Sequence, residues 1–281
     1  MVEASAPRAF VVGHPIGHSR SPLIHGFWLK TLALPGSYER IDIHPDAIET
    51  FLRDLPQSGF VGGNVTIPHK QAAHRAAHRL DAAAQAIGAA NTLWLEDGKL
   101  IAGNTDAIGF AANLDHEAPC WRQMRTALVL GAGGAARAIL FALKDAGFTD
   151  IRIVNRTLSR AQDLCDSFGP GVSAHGWENV AALAGDAGLV VNTSSLGMAG
   201  KDELPLDISI LPDNAIVNDI VYAPLETPLL AAARARGLVG VDGLGMLLHL
   251  AVPGFERWFG VRPRVTPELR AHIVADLEKT A

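Results

Sequence analysis

Thr126-Ala127-Leu128-Val129-Leu130-Gly131-Ala132-Gly133-Gly134-Ala135-Ala136 is the stretch whose reading decides the fold. A short strand-like run enters a glycine turn, and an alanine-rich helical pattern leaves it. Gly131 permits the tight turn, Gly133 lets backbone N–H groups approach a pyrophosphate, and Ala136 is small enough for close helix–sheet contact. The N-terminus of the helix that follows attracts phosphate charge. Ala132, Gly134 and Ala135 complete the turn as candidate cofactor contacts. A glycine turn can also join strand to helix without binding anything, so the flanking sequence has to decide.

Downstream, strands are expected at 150–154, 187–191, 215–219 and 238–241, with helices at 135–146, 158–168 and 226–236. Strand–helix alternation of this kind predicts a doubly wound parallel sheet. Where the second strand ends, at Val154-Asn155-Arg156-Thr157, a site for NAD would place an acidic residue against the ribose 2′-hydroxyl. None is there. Arg156, with Arg160 one helical turn later, would instead offer two guanidinium groups to a 2′-phosphate, so NADP is the expected cofactor. Two arginines solvated at a helix start are the plainer reading, but positive charge in a first turn opposes the helix dipole and makes better sense beside an anion.

Upstream, strands are expected at 8–12, 37–43 and 60–65 and helices at 21–34, 45–55 and from Pro68. Ser21-Pro22 reads as an N-cap followed by a first-turn proline, and Asp97-Gly98 as a hairpin between 91–95 and 99–102. A helix is expected at 106–114, and a domain boundary falls near 109–122, where periodicity is lost. Helices at about 244–259 and 266–279 close the chain, with Pro253-Gly254 a candidate kink. The fold class is thus α/β with two domains, a first over 1–110 and a nucleotide-binding second over 111–241.

Bulk properties narrow the function. A chain of 281 residues, 48% hydrophobic and 19% charged, buries a substantial core, and a net charge of -5 disfavours nucleic acid as partner. The two cysteines, Cys120 and Cys165, suit a reducing, cytoplasmic setting, and no apolar run approaches a membrane span. The pairs His14/His18 and His74/His78 have i,i+4 spacing but lack a third ligand cluster, so no metal is expected. Ser194 and Ser195 lack a nucleophile-elbow motif, which disfavours serine hydrolase chemistry.

Three clusters in the amino-terminal half carry the other candidates. Ser19 and Ser21 can turn hydroxyls toward one anionic group at a helix start, although capping alone would also account for Ser21. In Asn64-Val65-Thr66-Ile67-Pro68-His69-Lys70, strand alternation puts Asn64 and Thr66 on one side and leaves Lys70 in a first helical turn, where it wants an anionic neighbour. Asn91-Thr92 and Gly103-Asn104-Thr105-Asp106 supply amides and one carboxylate, and Asp106 could be that neighbour.

Taken in order, G-x-P-I-x-H-S-x-S-P, N-V-T-I-P-x-K, G-A-A-N-T, N-T-D-x-x-G-F, G-A-G-G-A-A-R-A, N-R-T and D-G-L-G-M-L resemble the shikimate dehydrogenase family over nearly the whole chain. The resemblance implies NADPH-dependent reduction of 3-dehydroshikimate, with Lys70 and Asp106 as the catalytic pair. It implies that Ser19 and Ser21 bind the substrate carboxylate, that Asn64, Thr66, Asn91 and Asp106 bind ring hydroxyls, and that Tyr222 lies near the carboxylate. Asn155, Arg156, Thr157 and Arg160 match the adenosine phosphate clamp, and Ile220, Gly243 and Met246 match positions around the nicotinamide. It also implies that 242–281 returns to complete the first domain and that the cleft between domains is the site; monomer and homodimer both stay open.

One position departs from the pattern. Leu250 stands where the family typically has a glutamine that hydrogen-bonds a substrate hydroxyl. An altered active site, a paralogue with another substrate, and replacement by water each fit. A quinate/shikimate or other cyclic hydroxy-acid dehydrogenase, and a non-catalytic metabolite or nucleotide sensor, are the competing functions; retention of Lys70 and Asp106 argues against the sensor.

Overall fold

The computed structural model describes residues 6–280. They divide into two compact units, one running to Thr105 and including Leu250–Glu278, the other Asp106–His249 with the last residues from Lys279. The sequence expectation set these divisions at 110/111 and 241/242.

The first unit begins with β1 (Arg8–Gly13), α1 (Ser21–Thr31), β2 (Ser37–Asp42), α2 (Ile48–Asp54), β3 (Gly62–Val65) and α3 (Lys70–Ala76). It continues through β4 (Arg79–Leu80), α4 (Ala82–Ile87), β5 (Thr92–Glu96) and β6 (Lys99–Gly103). The sheet order is β2-β1-β3-β5-β6-β4. β2, β1 and β3 run parallel, β5 is antiparallel to β3 and β6, and the short β4 is parallel to β6. β5 and β6 are the hairpin expected around Asp97-Gly98. Phe10, Val12, Leu52, Leu55, Val65 and Leu93 form its core, each fully buried apolar side chain contributing roughly 1.5–3 kcal/mol.

The second unit holds α5 (Asp106–Glu117), β7 (Thr126–Leu130), α6 (Gly134–Asp145), β8 (Asp150–Val154), α7 (Leu158–Phe168) and β9 (Val172–His175). Beyond these come α8 (Val180–Ala184), β10 (Leu189–Asn192), β11 (Ile216–Asp219), α9 (Pro228–Ala235) and β12 (Val239–Val241). Six parallel strands lie in the order β12-β11-β10-β7-β8-β9. Counted from β7, this is the 3-2-1-4-5-6 arrangement of doubly wound nucleotide-binding sheets. β9 escaped the sequence reading because Val172-Ser173-Ala174-His175 is a half-exposed edge strand without an apolar run. Within the segment near 109–122 where the sequence loses periodicity, Trp121 is fully buried and donates its indole N–H to Asp115 at 2.7 Å.

α10 (Gly243–Phe259) and α11 (Pro267–Thr280) end the chain. Pro253 lies inside α10, which stays helical on both sides of it. Trp258 donates its indole N–H to the Leu93 carbonyl at 2.9 Å, tying α10 to β5. Arg20 meets Asp276 of α11 at 2.7 Å.

Beneath α1, the His25 ring is wholly buried, stacked on Tyr38 at 4.0 Å and 11°, with Trp28 and Phe255 against it. Desolvation lowers its pKa from 6.5 to about 3. A depressed folded-state pKa gives stability that is present above 6.5 and lost as the pH falls toward 3, by up to about 1.4 kcal/mol per pH unit. Urea unfolding of the wild type and His25→Phe between pH 7 and pH 4.5 is expected to show a shallower acid loss in the variant. Equal slopes would assign the acid sensitivity elsewhere.

Candidate active site

In the first unit, strand order decides which side chains meet. Because β1 and β3 are parallel neighbours while their helical connections leave in different directions, a crevice opens beyond their carboxyl ends. The loop after β1 and the loop after β3 meet there through the His14 N–H on the Ile67 carbonyl at 3.1 Å. Since β5 is antiparallel to β3, with Asn64 opposite Thr92 and Thr92 opposite Gly103, the start of β5 and the end of β6 reach the same edge. Ser19, Ser21, Asn64, Thr66, Lys70 and Asn91 therefore belong to one sheet edge, although they span seventy-odd residues of chain.

Ser19 and Ser21 are half-buried, and the Ser21 N–H donates to Ser19 Oγ at 3.3 Å. The N-cap of α1 is Arg20, with no side-chain cap bond, so Ser21 is the first helical residue and not the cap expected from sequence. Its hydroxyl is therefore not committed to capping. Two cations brace the loop: Arg40 donates from Nε and Nη2 to the Ser19 carbonyl at 3.0 and 2.7 Å, and Arg20 donates to the His18 carbonyl at 2.9 Å.

Asn64 and Asn91 are buried in one network. Asn64 Nδ2 donates to the Asn91 carbonyl at 3.1 Å and to Thr92 Oγ1 at 3.3 Å. Asn91 Oδ1 accepts from the Thr92 hydroxyl at 2.9 Å and from the Thr105 N–H and hydroxyl at 2.9 and 3.2 Å. Asp81 caps α4 through the Ala84 N–H at 2.7 Å and also accepts from the Asn104 N–H at 3.3 Å. Lys70 opens α3, two residues after the helix start expected at Pro68, with no acidic residue in its first turn; the Ala90 N–H donates to its carbonyl at 3.0 Å. His69, before it, is buried and donates from Nε2 to the Ile43 carbonyl at 2.7 Å. Thr66 is half-buried and takes no side-chain part in the Asn64–Asn91 network.

In the second unit, Asp106 is buried at the start of α5. The glycine turn follows β7 at the point where the strand order reverses between β7 and β10. Gly131 has φ +111°, and a Cβ there would meet Thr193 Oγ1 at 2.8 Å, so only glycine fits. Thr193, after β10, holds the turn by donating its hydroxyl to the Leu130 and Gly131 carbonyls at 3.0 and 3.2 Å. A Cβ on Gly133 or Gly134 would meet nothing within 4 Å, and the α6 N-terminus carries neither side-chain cap nor acidic residue. An open backbone cradle of this kind fits a dinucleotide pyrophosphate. Ala132 and Ala135 flank it, half-buried.

Asn155 donates to the Thr157 carbonyl at 2.8 Å, shaping the β8–α7 turn. Arg156, Thr157 and Arg160 are exposed, and neither guanidinium enters an ion pair among the described residues. Ile220 and Tyr222 follow β11, both half-buried. Their loop hangs on Asp219, which accepts from the Val221 N–H, Asn192 Nδ2 and the Thr227 hydroxyl at 3.0, 3.0 and 2.8 Å. Burial pushes the Asp219 carboxyl pKa up, and these bonds hold it in check. Gly243 and Met246 are buried in the first turn of α10; a Cβ on Gly243 would meet the Ile220 carbonyl oxygen at 2.1 Å. Leu250, further along α10, is half-buried. Sequence reasoning missed the roles of Arg40, Thr105, Thr193 and Asp219, whose partners Ser19, Asn91, Leu130 and Asn192 lie far away in the chain. Among the described residues no three His, Cys, Asp or Glu side chains converge as a metal site, and no helix is long and apolar enough to cross a membrane.

A glycine cradle on the 3-2-1-4-5-6 sheet of the second unit, together with a first unit whose hydroxyls, amides and lysine share one sheet edge, defines a two-unit dinucleotide-binding α/β protein suited to a small polar substrate. Residues 11–93 match the family model of the shikimate dehydrogenase substrate binding domain, and residues 116–197 that of shikimate / quinate 5-dehydrogenase. A shikimate dehydrogenase (NADP(+)) of Mesorhizobium japonicum is 65% identical over 277 residues, 99% of each chain. Shikimate 5-dehydrogenase from Thermus thermophilus, solved in complex with NADP(H) and shikimate, is 36% identical with a TM-score of 0.83, covering 98% of this chain and 100% of that one. Quinate dehydrogenase from Corynebacterium glutamicum, in complex with NAD, is 29% identical with a TM-score of 0.89, covering 97% and 100%. The chain belongs to the shikimate dehydrogenase family.

The exposed arginines carry a cofactor prediction. Replacing both Arg156 and Arg160 with glutamine is expected to raise KM for NADPH about 10- to 100-fold, the size of lost charge-assisted hydrogen bonds, with KM for NADH changed less than about twofold. Steady-state kinetics with both cofactors checks this, and an equal rise for each would remove the 2′-phosphate role.

Proposed function

We propose that this protein is an NADP-dependent shikimate dehydrogenase, reducing 3-dehydroshikimate to shikimate reversibly in the synthesis of aromatic amino-acid precursors. The observation that carries the reading is the gathering of Ser19, Ser21, Asn64, Thr66, Lys70 and Asn91 at one edge of the first sheet. A substrate with one carboxylate and several ring hydroxyls matches that mixture of hydroxyl, amide and ammonium groups. The two free cysteines suit a cytoplasmic enzyme.

Reduction of a ring ketone adds a hydride at carbon and a proton at oxygen. The hydride would come from a dihydronicotinamide cofactor when one is held by the second unit. Ser19 and Ser21 take the carboxylate, with Tyr222 beside it, while Asn64, Thr66 and Asn91 orient the ring hydroxyls. Lys70 polarises the carbonyl as negative charge develops on its oxygen and delivers the proton there. Asp106 is the carboxylate that the family resemblance assigns to the catalytic pair and to a ring hydroxyl. The cradle at Gly131–Ala135 would hold the pyrophosphate, Asn155, Arg156, Thr157 and Arg160 the adenosine phosphate, and Ile220, Gly243 and Met246 the nicotinamide.

The direct test is NADPH consumption with 3-dehydroshikimate. Lys70→Ala is expected to lower kcat on the order of 10²- to 10⁴-fold with a much smaller change in KM. A loss confined to KM would refute proton delivery by Lys70.

Leu250 favours a second reading, since a leucine can neither donate to nor accept from a substrate hydroxyl. In that reading the preferred substrate is a related cyclic hydroxy acid such as quinate, with NAD. Leu250→Gln is expected to lower KM for shikimate about 5- to 100-fold by supplying the missing partner. Faster turnover of quinate with NAD by the unaltered enzyme would support the second reading.

A further inference from the structure

Helices α5 and α10 each begin with a residue given a part in hydride transfer: Asp106 opens α5, and Gly243 opens α10 with Met246 one turn on. Both helix starts lie in the second unit. Seven positions make close to two helical turns, so Asn113 shares a face of α5 with Asp106. Gly109 and Phe110 fill that face between them, and the whole row is buried. Asn113 Nδ2 donates at 2.8 Å to the carbonyl of Asp242, the residue just before α10.

The turn into α10 has other ties. The Val241 carbonyl accepts from Asn218 Nδ2 at 3.1 Å, the Gly243 N–H donates to the Val221 carbonyl at 3.1 Å, and the Leu244 N–H donates to Asp242 Oδ1 at 3.0 Å. Those bonds fix the turn to β11, to the loop after it and to itself, whereas Asn113 fixes it to α5. Steric fit tightens the contact. A Cβ on Gly245 would lie 1.8 Å from Asn113 Oδ1 and 3.2 Å from its Nδ2, so the carboxamide fills the place that a side chain at 245 would take. Wedged there, it cannot swing aside without releasing the Asp242 carbonyl.

We propose that Asn113 is a positioning residue for hydride transfer, holding the start of α10, with Gly243 and Met246, at a fixed distance from the Asp106 carboxylate. The proposal rests on the parts given to Asp106, Gly243 and Met246 under the proposed function. Hydride donor and proton-handling groups must be held in register at the moment of transfer, and a small displacement of one helix start against the other costs rate while leaving substrate affinity alone.

Asn113→Ala removes the tie and keeps every residue assigned to the site. Single-turnover reduction, with enzyme in excess over NADPH and saturating 3-dehydroshikimate, should show the rate constant of hydride transfer lowered about 10- to 100-fold. KM for 3-dehydroshikimate should stay within about twofold of the wild type. A merely structural role would lower Tm and the active fraction but leave that rate constant unchanged, and this result would overturn the proposal. Absence of turnover by the wild type would instead overturn the substrate reading beneath it.

Gly245→Ala gives the reciprocal test, and it decides the matter should Asn113→Ala not fold. Its methyl would displace the carboxamide, so a comparable slowing of hydride transfer is expected. In Asn113→Ala/Gly245→Ala the methyl enters the space that the carboxamide leaves, and the double variant should be no slower than Gly245→Ala alone. A wild-type rate constant in Gly245→Ala, or losses that multiply in the double variant, would overturn the coupling.

Discussion

The carboxamide of Asn91 is the constraint on which the first unit's polar edge depends. Its Oδ1 gathers three donors from Thr92 and Thr105, while its backbone receives the Val65 N–H and donates to the Gly103 carbonyl, so the ends of β3, β5 and β6 are pinned to one residue. A buried acceptor shared in this way is stable only when every partner is in place, because each donor released into an apolar interior costs about 1–3 kcal/mol. The position of Asn64 and the path of the chain through Thr105 both follow from that requirement. Lys70 depends on it less directly, through the Ala90 N–H on its carbonyl just before Asn91.

The second unit solves its problem with backbone instead of side-chain amides. A pyrophosphate is bound by N–H groups at a helix start, so the sequence need only keep side chains out of the way. Gly131 does so under steric compulsion from Thr193, while Gly133 and Gly134 face open space. Where a loop must be held without a regular element, a buried polar cluster holds it: Asp219 with Asn192, Thr227 and the Val221 N–H fixes the segment carrying Ile220 and Tyr222.

This difference explains what the sequence made legible. The nucleotide fingerprint is local, and its turn chemistry and following helix can be read from eleven consecutive residues. The doubly wound sheet was legible for the same reason, since each buried parallel strand is a continuous apolar run such as Leu128-Val129-Leu130 or Leu189-Val190-Val191. β9 was not, because a half-exposed edge strand carries no such run. The candidate substrate residues were legible as motifs in order, yet their convergence was not, for it depends on β5 turning antiparallel beside β3. Tyr38 and Arg40 were hidden altogether: Ser37-Tyr38-Glu39-Arg40-Ile41-Asp42 reads as an ordinary half-exposed strand, and only the parallel register with β1 brings its face to the serine loop. Ser21 reads as a cap because Ser-Pro is so often one, whereas here Arg20 takes that place.

The charges around the serine pair decide what its hydroxyls can hold. Neutral hydroxyls alone would leave a carboxylate poorly compensated on leaving water. Arg20 has its charge met by Asp276, with N and O 2.7 Å apart. Arg40 differs: its fork is spent on the Ser19 carbonyl, a dipole, and it has no carboxylate partner among the described residues. Its positive charge is therefore not cancelled locally. A guanidinium fixed in this way shapes the loop and leaves a residual positive potential beside the serine hydroxyls. That potential favours an anionic end group there while leaving both hydroxyls available to it, and it lets the site separate charge attraction from directional recognition.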